Sequence, residues 1–285
     1  MKQQIAVLGG DERQVYLSQL LSASGWNLRT WGLEKENAPG DALAELALTS
    51  DIIILPLPVC RGRMLNLPLA DTELLIEKLF SYLREEQLIL GGMIRSIPQE
   101  VRDAYPFDVM DYYSREDVQM MNAIPTAEGA IMHAIAETKV TIFGSRCLVV
   151  GFGRIGKMLS HRLKALGADV TISARKVGDI AQAKAYGYRA VPTEGLGVER
   201  LEFDVIFNTV PAIIFDPEKI KQIDRCCLLV ELASDPGGFD MYSVKGNNFK
   251  YIDAKGLPGK IAPFSSAKTI CDSVCQILKE RGYVL

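Results

Sequence analysis

The sequence predicts an α/β protein of two doubly wound, parallel-sheet domains. Three observations point there. Short apolar runs alternate with helical patterns from one end of the chain to the other, the signature of a parallel sheet with helices on both faces. A length of 285 residues corresponds to about two domains at roughly 150 residues each. Midway along, a strand pattern restarts and runs into "GFGRIG" at 151–156, a glycine-spaced turn that opens a new helix.

The first domain is expected over residues 1–121. "IAVLGG" (5–10) is an apolar strand closed by two glycines, and the helical pattern of 14–24 stops at Gly25, a residue suited to a helix C-terminus. "LRTWG" (28–32) is the next strand. "DIIILPL" (51–57) is a near-continuous apolar run, as a strand covered on both faces requires. Leu74, Leu75, Leu79 and Leu83 keep helical spacing, and "QLILGGMI" (87–94) and the weaker "FDVMDYY" (107–113) complete the sheet.

The second domain is expected over 122–265. Pro125-Thr126 before an Ala-rich apolar stretch predicts a helix start, with Glu128 in its first turn and its end near Thr138; this helix connects the domains. Strands follow at "RCLVVGFG", "DVTISAR" (169–175), "FDVIFNTVP" (203–211), "CLLVELAS" (227–234) and "FKYIDAKGL" (249–257), with helices after Gly153 and around 178–186. The last helix, 266–281, carries Ala267, Ile270, Cys271, Val274, Ile277 and Leu278 on one face, so the C-terminal segment 266–285 is expected to pack back on the first domain.

Composition narrows the function. With 48% hydrophobic and 24% charged residues the chain can bury a core, and disorder is excluded. A net charge of −3 argues against nucleic-acid partners, which need a basic face. The six cysteines form no C-x-x-C pair and no zinc spacing, so no metal site is expected and the thiols read as reduced. No apolar run approaches the roughly 18 residues of a membrane span, and "MKQQIAVLGG" lacks a signal-peptide pattern. A cytoplasmic protein is expected.

The glycine turn carries the chemistry. Gly151 permits the tight turn, Gly153 lets the backbone approach a pyrophosphate, and Gly156 lets helix and strand pack closely. The free N–H groups of the helix start then face the anion, so Phe152, Arg154 and Ile155 join the expected dinucleotide contacts. A site for NAD would end the following strand in Asp or Glu to bind the ribose 2′-hydroxyl. Here that position falls near Ala174, with Ser173 before it and the basic pair Arg175-Lys176 after it. A hydroxyl and two cations suit a 2′-phosphate, so NADP is expected over NAD; a solvated basic turn is the alternative. Asn208, Thr209, Val210 and Pro211 end one later strand and Ala233 another, at carboxyl ends where ligands of open α/β sheets bind. The two domains are thus expected as Rossmann-like halves facing across a cleft.

The stretches "AVLGGDER" (6–13), "NAIPTAEGAIMHAI" (122–135), "GFGRIG" with "SAR", "ELASDPGGFD" (231–240) and "GLPGKIAP" (256–263) together resemble the family of dipicolinate synthase A subunits. The plan is more distantly similar to the D-2-hydroxyacid dehydrogenases and S-adenosylhomocysteine hydrolase. The loop "PVCRGRMLNLP" (58–68) does not match the family pattern. The resemblance implies an NAD(P)-dependent oxidoreductase working with a flavoprotein-like B subunit in the mother cell of a sporulating bacterium. Its substrate would be a small dicarboxylate, dihydrodipicolinate or its hydrated precursor, oxidised to dipicolinate; a homo-oligomer is compatible with this. Arg13 is the expected carboxylate ligand, since it follows the strand and turn "VLGGD", and Asp11 would orient it or set the turn. Glu128 is the candidate base, with simple complementarity to the helix dipole as the alternative. A D-2-hydroxyacid-type dehydrogenase and a non-catalytic dinucleotide-binding scaffold are the rival readings. The chain has only two histidines, His133 and His161, and neither is a clear catalytic histidine.

Overall fold

A computed structural model describes residues 3–35 and 40–283. The chain forms two compact units, Met1–Met121 together with Ala262–Leu285, and Asn122–Ile261. In the first, the order is β1 (Gln4–Leu8), α1 (Glu12–Ala23), β2 (Asn27–Trp31), α2 (Gly40–Thr49), β3 (Ile52–Ile54), the hairpin β4 (Cys60–Arg61) and β5 (Met64–Leu65), α3 (Ile76–Phe80), β6 (Leu88–Gly91), α4 (Gln99–Ala104) and β7 (Val109–Asp111). Its five-stranded parallel sheet runs β2-β1-β3-β6-β7, so the winding reverses between β1 and β3.

Helix α5 (Glu116–Glu137) leads into the second unit, which continues as β8 (Arg146–Val150), α6 (Arg154–Ala165), β9 (Asp169–Ala174), α7 (Val177–Ala185), β10 (Arg189–Pro192), β11 (Val205–Asn208), α8 (Pro217–Gln222), β12 (Leu228–Glu231), α9 (Met241–Gly246), β13 (Lys250–Asp253) and α10 (Leu257–Ile261). Helix α11 (Pro263–Glu280) closes the chain. The six-stranded sheet runs β10-β9-β8-β11-β12-β13, all parallel, which is the strand order of a dinucleotide-binding fold.

The apolar runs form strands because both faces of each sheet are covered. Along β3, Ile52 and Ile54 enter one core while Ile53 enters the other, as the two-residue period of a strand demands. In the second unit Cys147 and Val149 of β8 face one core and Leu148 and Val150 the other. Helix α11 seats Ala267, Ile270, Val274 and Ile277 in the same core as Leu17 and Leu21 of α1. The last two residues of the expected C-terminal segment, 284 and 285, lie outside the described residues.

One expected boundary is corrected. Pro125 does not start a helix; it lies inside α5, nine residues after the helix begins at Glu116. Proline lacks the N–H for an i→i−4 bond and normally ends a helix. Here the buried stripe Val118, Ala123, Ala127, Ala130 and Ala134 runs through it, and packing of that stripe outweighs the lost bond. Glu128 is therefore a mid-helix residue. The helical spacing of Leu74 to Leu83 also shrinks to the single turn and a half of α3.

Candidate functional site

At the carboxyl end of the second sheet, β8 turns at Gly151 into α6, whose first residue is Arg154. Gly151 has φ +96°, and a Cβ there would collide with Thr209 Oγ1. A Cβ on Gly156 would run into the Gly151 carbonyl oxygen, so any side chain would push the helix off the turn. At Gly153 a Cβ would meet nothing within 4 Å. The middle glycine thus faces open space, and as N-cap of α6 it brings no side-chain cap to the helix end. A helix N-terminus left uncapped beside a free volume is an anion site in waiting.

That volume is a groove of ≈ 680 Å³. Gly151 to Ile155 form its floor, Ala174 with Arg175 and Lys176 one wall, and Thr209, Val210 and Pro211 another. The Thr209 hydroxyl donates to the Val150 carbonyl at 2.8 Å, locking that wall to the turn. Sequence reasoning missed part of the lining: Asp179 of α7, Thr193 and Glu194 after β10, Ala212 to Ile214, and Lys219 of α8. Thr193 and Glu194 escaped because β10 is a short, partly exposed edge strand with no clean apolar run. Four cations (Arg154, Arg175, Lys176, Lys219) and two acids (Asp179, Glu194) line the groove, an excess of positive charge suited to a phosphorylated ligand.

Three expected contacts fall elsewhere. Ser173 is buried, and its hydroxyl donates to Thr193 Oγ1 at 2.9 Å, so it supports a groove residue and does not line the groove. Asn208 is fully buried; its amide donates to the Val210 carbonyl at 2.9 Å and to Glu231 at 2.7 Å. Ala233 is buried, and its N–H donates to Glu231 Oε1 at 2.9 Å. Ser173 and Asn208 are buried at their strand ends, whereas their neighbours Ala174 and Thr209 reach the groove. Sequence reasoning also missed Glu231, although an acid closing the apolar run "LLV" is a signal in itself.

In the first unit, β1 is followed by Gly9 and Gly10, both with positive φ, and Asp11 caps α1 by accepting from the Arg13 N–H at 3.1 Å. The Arg13 guanidinium is bound by both Asp11 oxygens, Nε to Oδ1 at 2.9 Å and Nη2 to Oδ2 at 2.8 Å. Nη2 also donates to the Leu57 carbonyl at 2.5 Å, which ties the turn after β1 to the segment after β3. Asp11 thus both caps the helix and fixes the fork of Arg13. The loop 58–68 contains the β4–β5 hairpin, held from both sides: the Gly10 N–H donates to Asn66 O at 2.9 Å and the Cys60 N–H to Ser96 Oγ at 3.0 Å. Burial pushes the Cys60 thiol up to about 12, which makes it inert. Arg63 pairs with Glu77 and Glu100, while Arg61 and Arg95 are exposed.

Glu128 is exposed on α5 and ion-paired with Arg162 of α6 at 3.3 Å. Among the described residues no cluster of metal-ligating side chains occurs, and no helix is long and apolar enough to cross a membrane.

Residues 4–113 match the family described as the N-terminal domain of the dipicolinate synthase A subunit, and residues 118–222 match the NAD-binding domain of D-isomer-specific 2-hydroxyacid dehydrogenases. The dipicolinate synthase A subunit of Bacillus subtilis is 28% identical over 284 residues, covering 97% of this chain and 96% of the relative. The chain is similar to dipicolinate synthase A subunits over nearly its whole length. The solved A subunit of Bacillus halodurans dipicolinate synthase superposes with a TM-score of 0.88 at 25% identity, covering 98% of both chains. D-lactate dehydrogenase of Escherichia coli, with a TM-score of 0.66 and 13% identity over 99% of this chain and 98% of its own, shares the fold. The likeness to these synthase subunits therefore spans both units, and the nucleotide-type turn lies in the part that matches an NAD-binding domain.

Proposed function

We propose that the chain is the A subunit of a dipicolinate synthase, with a preference for NADP over NAD. The likeness over 97% of the chain supports the synthase reading, and the observation that carries the cofactor preference is the groove over Gly153, walled by Arg175 and Lys176 where Ala174 stands in place of an acid. The residues present fit a nicotinamide dinucleotide phosphate. The N-terminus of α6 receives the pyrophosphate, Gly153 offers no Cβ in its path, and Arg175 with Lys176 binds the 2′-phosphate. When bound, the nicotinamide ring supplies the hydride acceptor that taking a dihydropyridine to a pyridine requires.

The chain's own residues bind, orient and remove a proton. Arg13, its fork held by Asp11, offers Nη1 to a substrate carboxylate. Glu128 takes the ring proton, its Oε2 acting while Oε1 stays paired with Arg162. Aromatisation provides driving force, so positioning matters more than strong acid–base machinery, in keeping with a chain that has only two histidines. The proposal extends to a partner, a flavoprotein-like B subunit, and to the cytoplasm of a sporulating mother cell. The test is an assay of the purified chain, with and without that partner, supplied with freshly prepared dihydrodipicolinate and NADP⁺ and followed at the reduced-nicotinamide absorbance. Substrate-dependent reduction supports the reading. If no reduction occurs with the partner present while the chain still binds NADPH, the scaffold reading replaces it.

A further inference from the structure

Glu231 is the last residue of β12 and is 1% exposed. It does not line the groove, yet it is bonded to two groups that in turn hold one groove wall. In the parallel register it stands beside Asn208, the last residue of β11. Its Oε1 accepts from Asn208 Nδ2 at 2.7 Å and from the Ala233 N–H at 2.9 Å, and its Oε2 accepts from the Gly238 N–H at 2.6 Å. Two of these donors lead onward. Asn208 grips Val210 twice, donating to its carbonyl at 2.9 Å and accepting from its N–H at 3.2 Å. The Gly238 carbonyl accepts from the N–H groups of Ile214 and Phe215, both at 2.9 Å.

The wall segment Val210 to Ile214 is therefore held at its two ends by two arms that meet on one carboxylate. The glycines of "DPGG" make room for this junction. A Cβ on Gly237, which has φ +79°, would lie 2.8 Å from Glu231 Oε2, and one on Gly238 would collide with the Asn208 amide. A carboxylate is also the one side chain that suits the place, because all three partners are N–H donors. Glutamine would turn an NH2 group toward at least one of them, and leucine would leave three buried donors unpaired. Burial pushes the Glu231 carboxyl above the usual carboxylate range, a cost the three hydrogen bonds oppose.

We infer that Glu231 is a positioning residue of the dinucleotide groove, setting the wall Val210–Ile214 through Asn208 at one end and Gly238 at the other. The inference rests on the groove being the dinucleotide site. It is tested with Glu231→Gln, Asn208→Ala and the double variant, by titrating NADPH and NADH at a temperature well below every melting transition. Glu231→Gln is expected to weaken both dinucleotides by the same factor, roughly tenfold. Their ratio is unchanged, because the basic pair lies on the other wall. The double variant loses less than the product of the single losses, since the two residues share one arm. A melting temperature that falls while both affinities hold, or losses that multiply independently, overturns the inference and leaves Glu231 as a fold-stabilising residue. Should Glu231→Gln fail to fold, Asn208→Ala alone decides: affinity equal to that of the parent overturns it. If the parent chain itself binds neither dinucleotide, the groove reading falls and this inference falls with it.

Discussion

Replacing Arg175 with alanine removes one of two cations from the wall where the 2′-phosphate is proposed to bind. The magnitude follows from the surroundings. At about 4 Å and an effective dielectric near 20, each unit of phosphate charge attracts a guanidinium by about 4 kcal/mol before desolvation and screening. Arg175 is exposed at the end of β9, so most of that attraction is returned to solvent. A charge-assisted hydrogen bond retains about 1.5–3 kcal/mol, and Lys176 stays in place to compensate. The expected loss for NADPH is therefore about 1–2 kcal/mol, or roughly five- to thirtyfold in Kd. NADH lacks the phosphate and should move less than about twofold. Calorimetric titration of both dinucleotides against the parent and the variant reads the two numbers directly. Equal losses would mean that Arg175 acts on a feature common to both cofactors or on the fold, and not on the 2′-phosphate. Ala174→Asp supplies the converse: a carboxylate restored at the strand end should weaken NADPH and spare NADH.

Other expectations concern separate parts of the molecule. Gly153→Val should abolish binding of both dinucleotides while the melting temperature stays near that of the parent, since its side chain enters open space; normal binding by a folded variant removes the turn from the site. Arg13→Ala should raise KM for the dicarboxylate with cofactor affinity intact, whereas Glu128→Gln should lower kcat roughly 10²–10⁴-fold with KM little changed, as loss of a general base does; steady-state kinetics of both variants separates these roles. Asp216 caps α8 by accepting from the N–H groups of Glu218 and Lys219 at 3.1 and 2.9 Å, and these bonds, that to Lys219 foremost, hold its carboxyl below the usual value of 3.8. Its contribution, about 1 kcal/mol for such a cap, is thus present above pH 3.8 and lost as pH falls through the lowered folded-state value. Urea melts of Asp216→Ala should differ from the parent at neutral pH and converge with it in acid.

How much was legible in the sequence depended on which force set each element. Strands β1, β3, β8, β11 and β12 announced themselves because a sheet covered on both faces needs unbroken apolar runs. The glycine turn was equally plain, since Gly151 and Gly156 sit where any Cβ would collide. Local punctuation misled where packing overrode it. Pro125 reads as a helix start, but the alanine stripe on both sides of it binds one continuous helix. The edge strand β10 gave no periodic signal, and with it Thr193 and Glu194 were lost from the groove. Asn208 illustrates a different limit. Its place at a strand end was correct, but which side of the strand faces the groove depends on pleat and register, and these turn it inward to Glu231.

A crystal structure of the chain with NADP⁺ and dipicolinate would show where both ligands bind. The pyrophosphate should lie over Gly153 at the N-terminus of α6, with the 2′-phosphate within hydrogen-bonding distance of Arg175 or Lys176. A dipicolinate carboxylate should also be reached by the Arg13 guanidinium directly or through one water, hence within about 6 Å, the span of two hydrogen bonds. A dinucleotide bound outside the groove, or one whose 2′-phosphate points away from both cations, would contradict this placement.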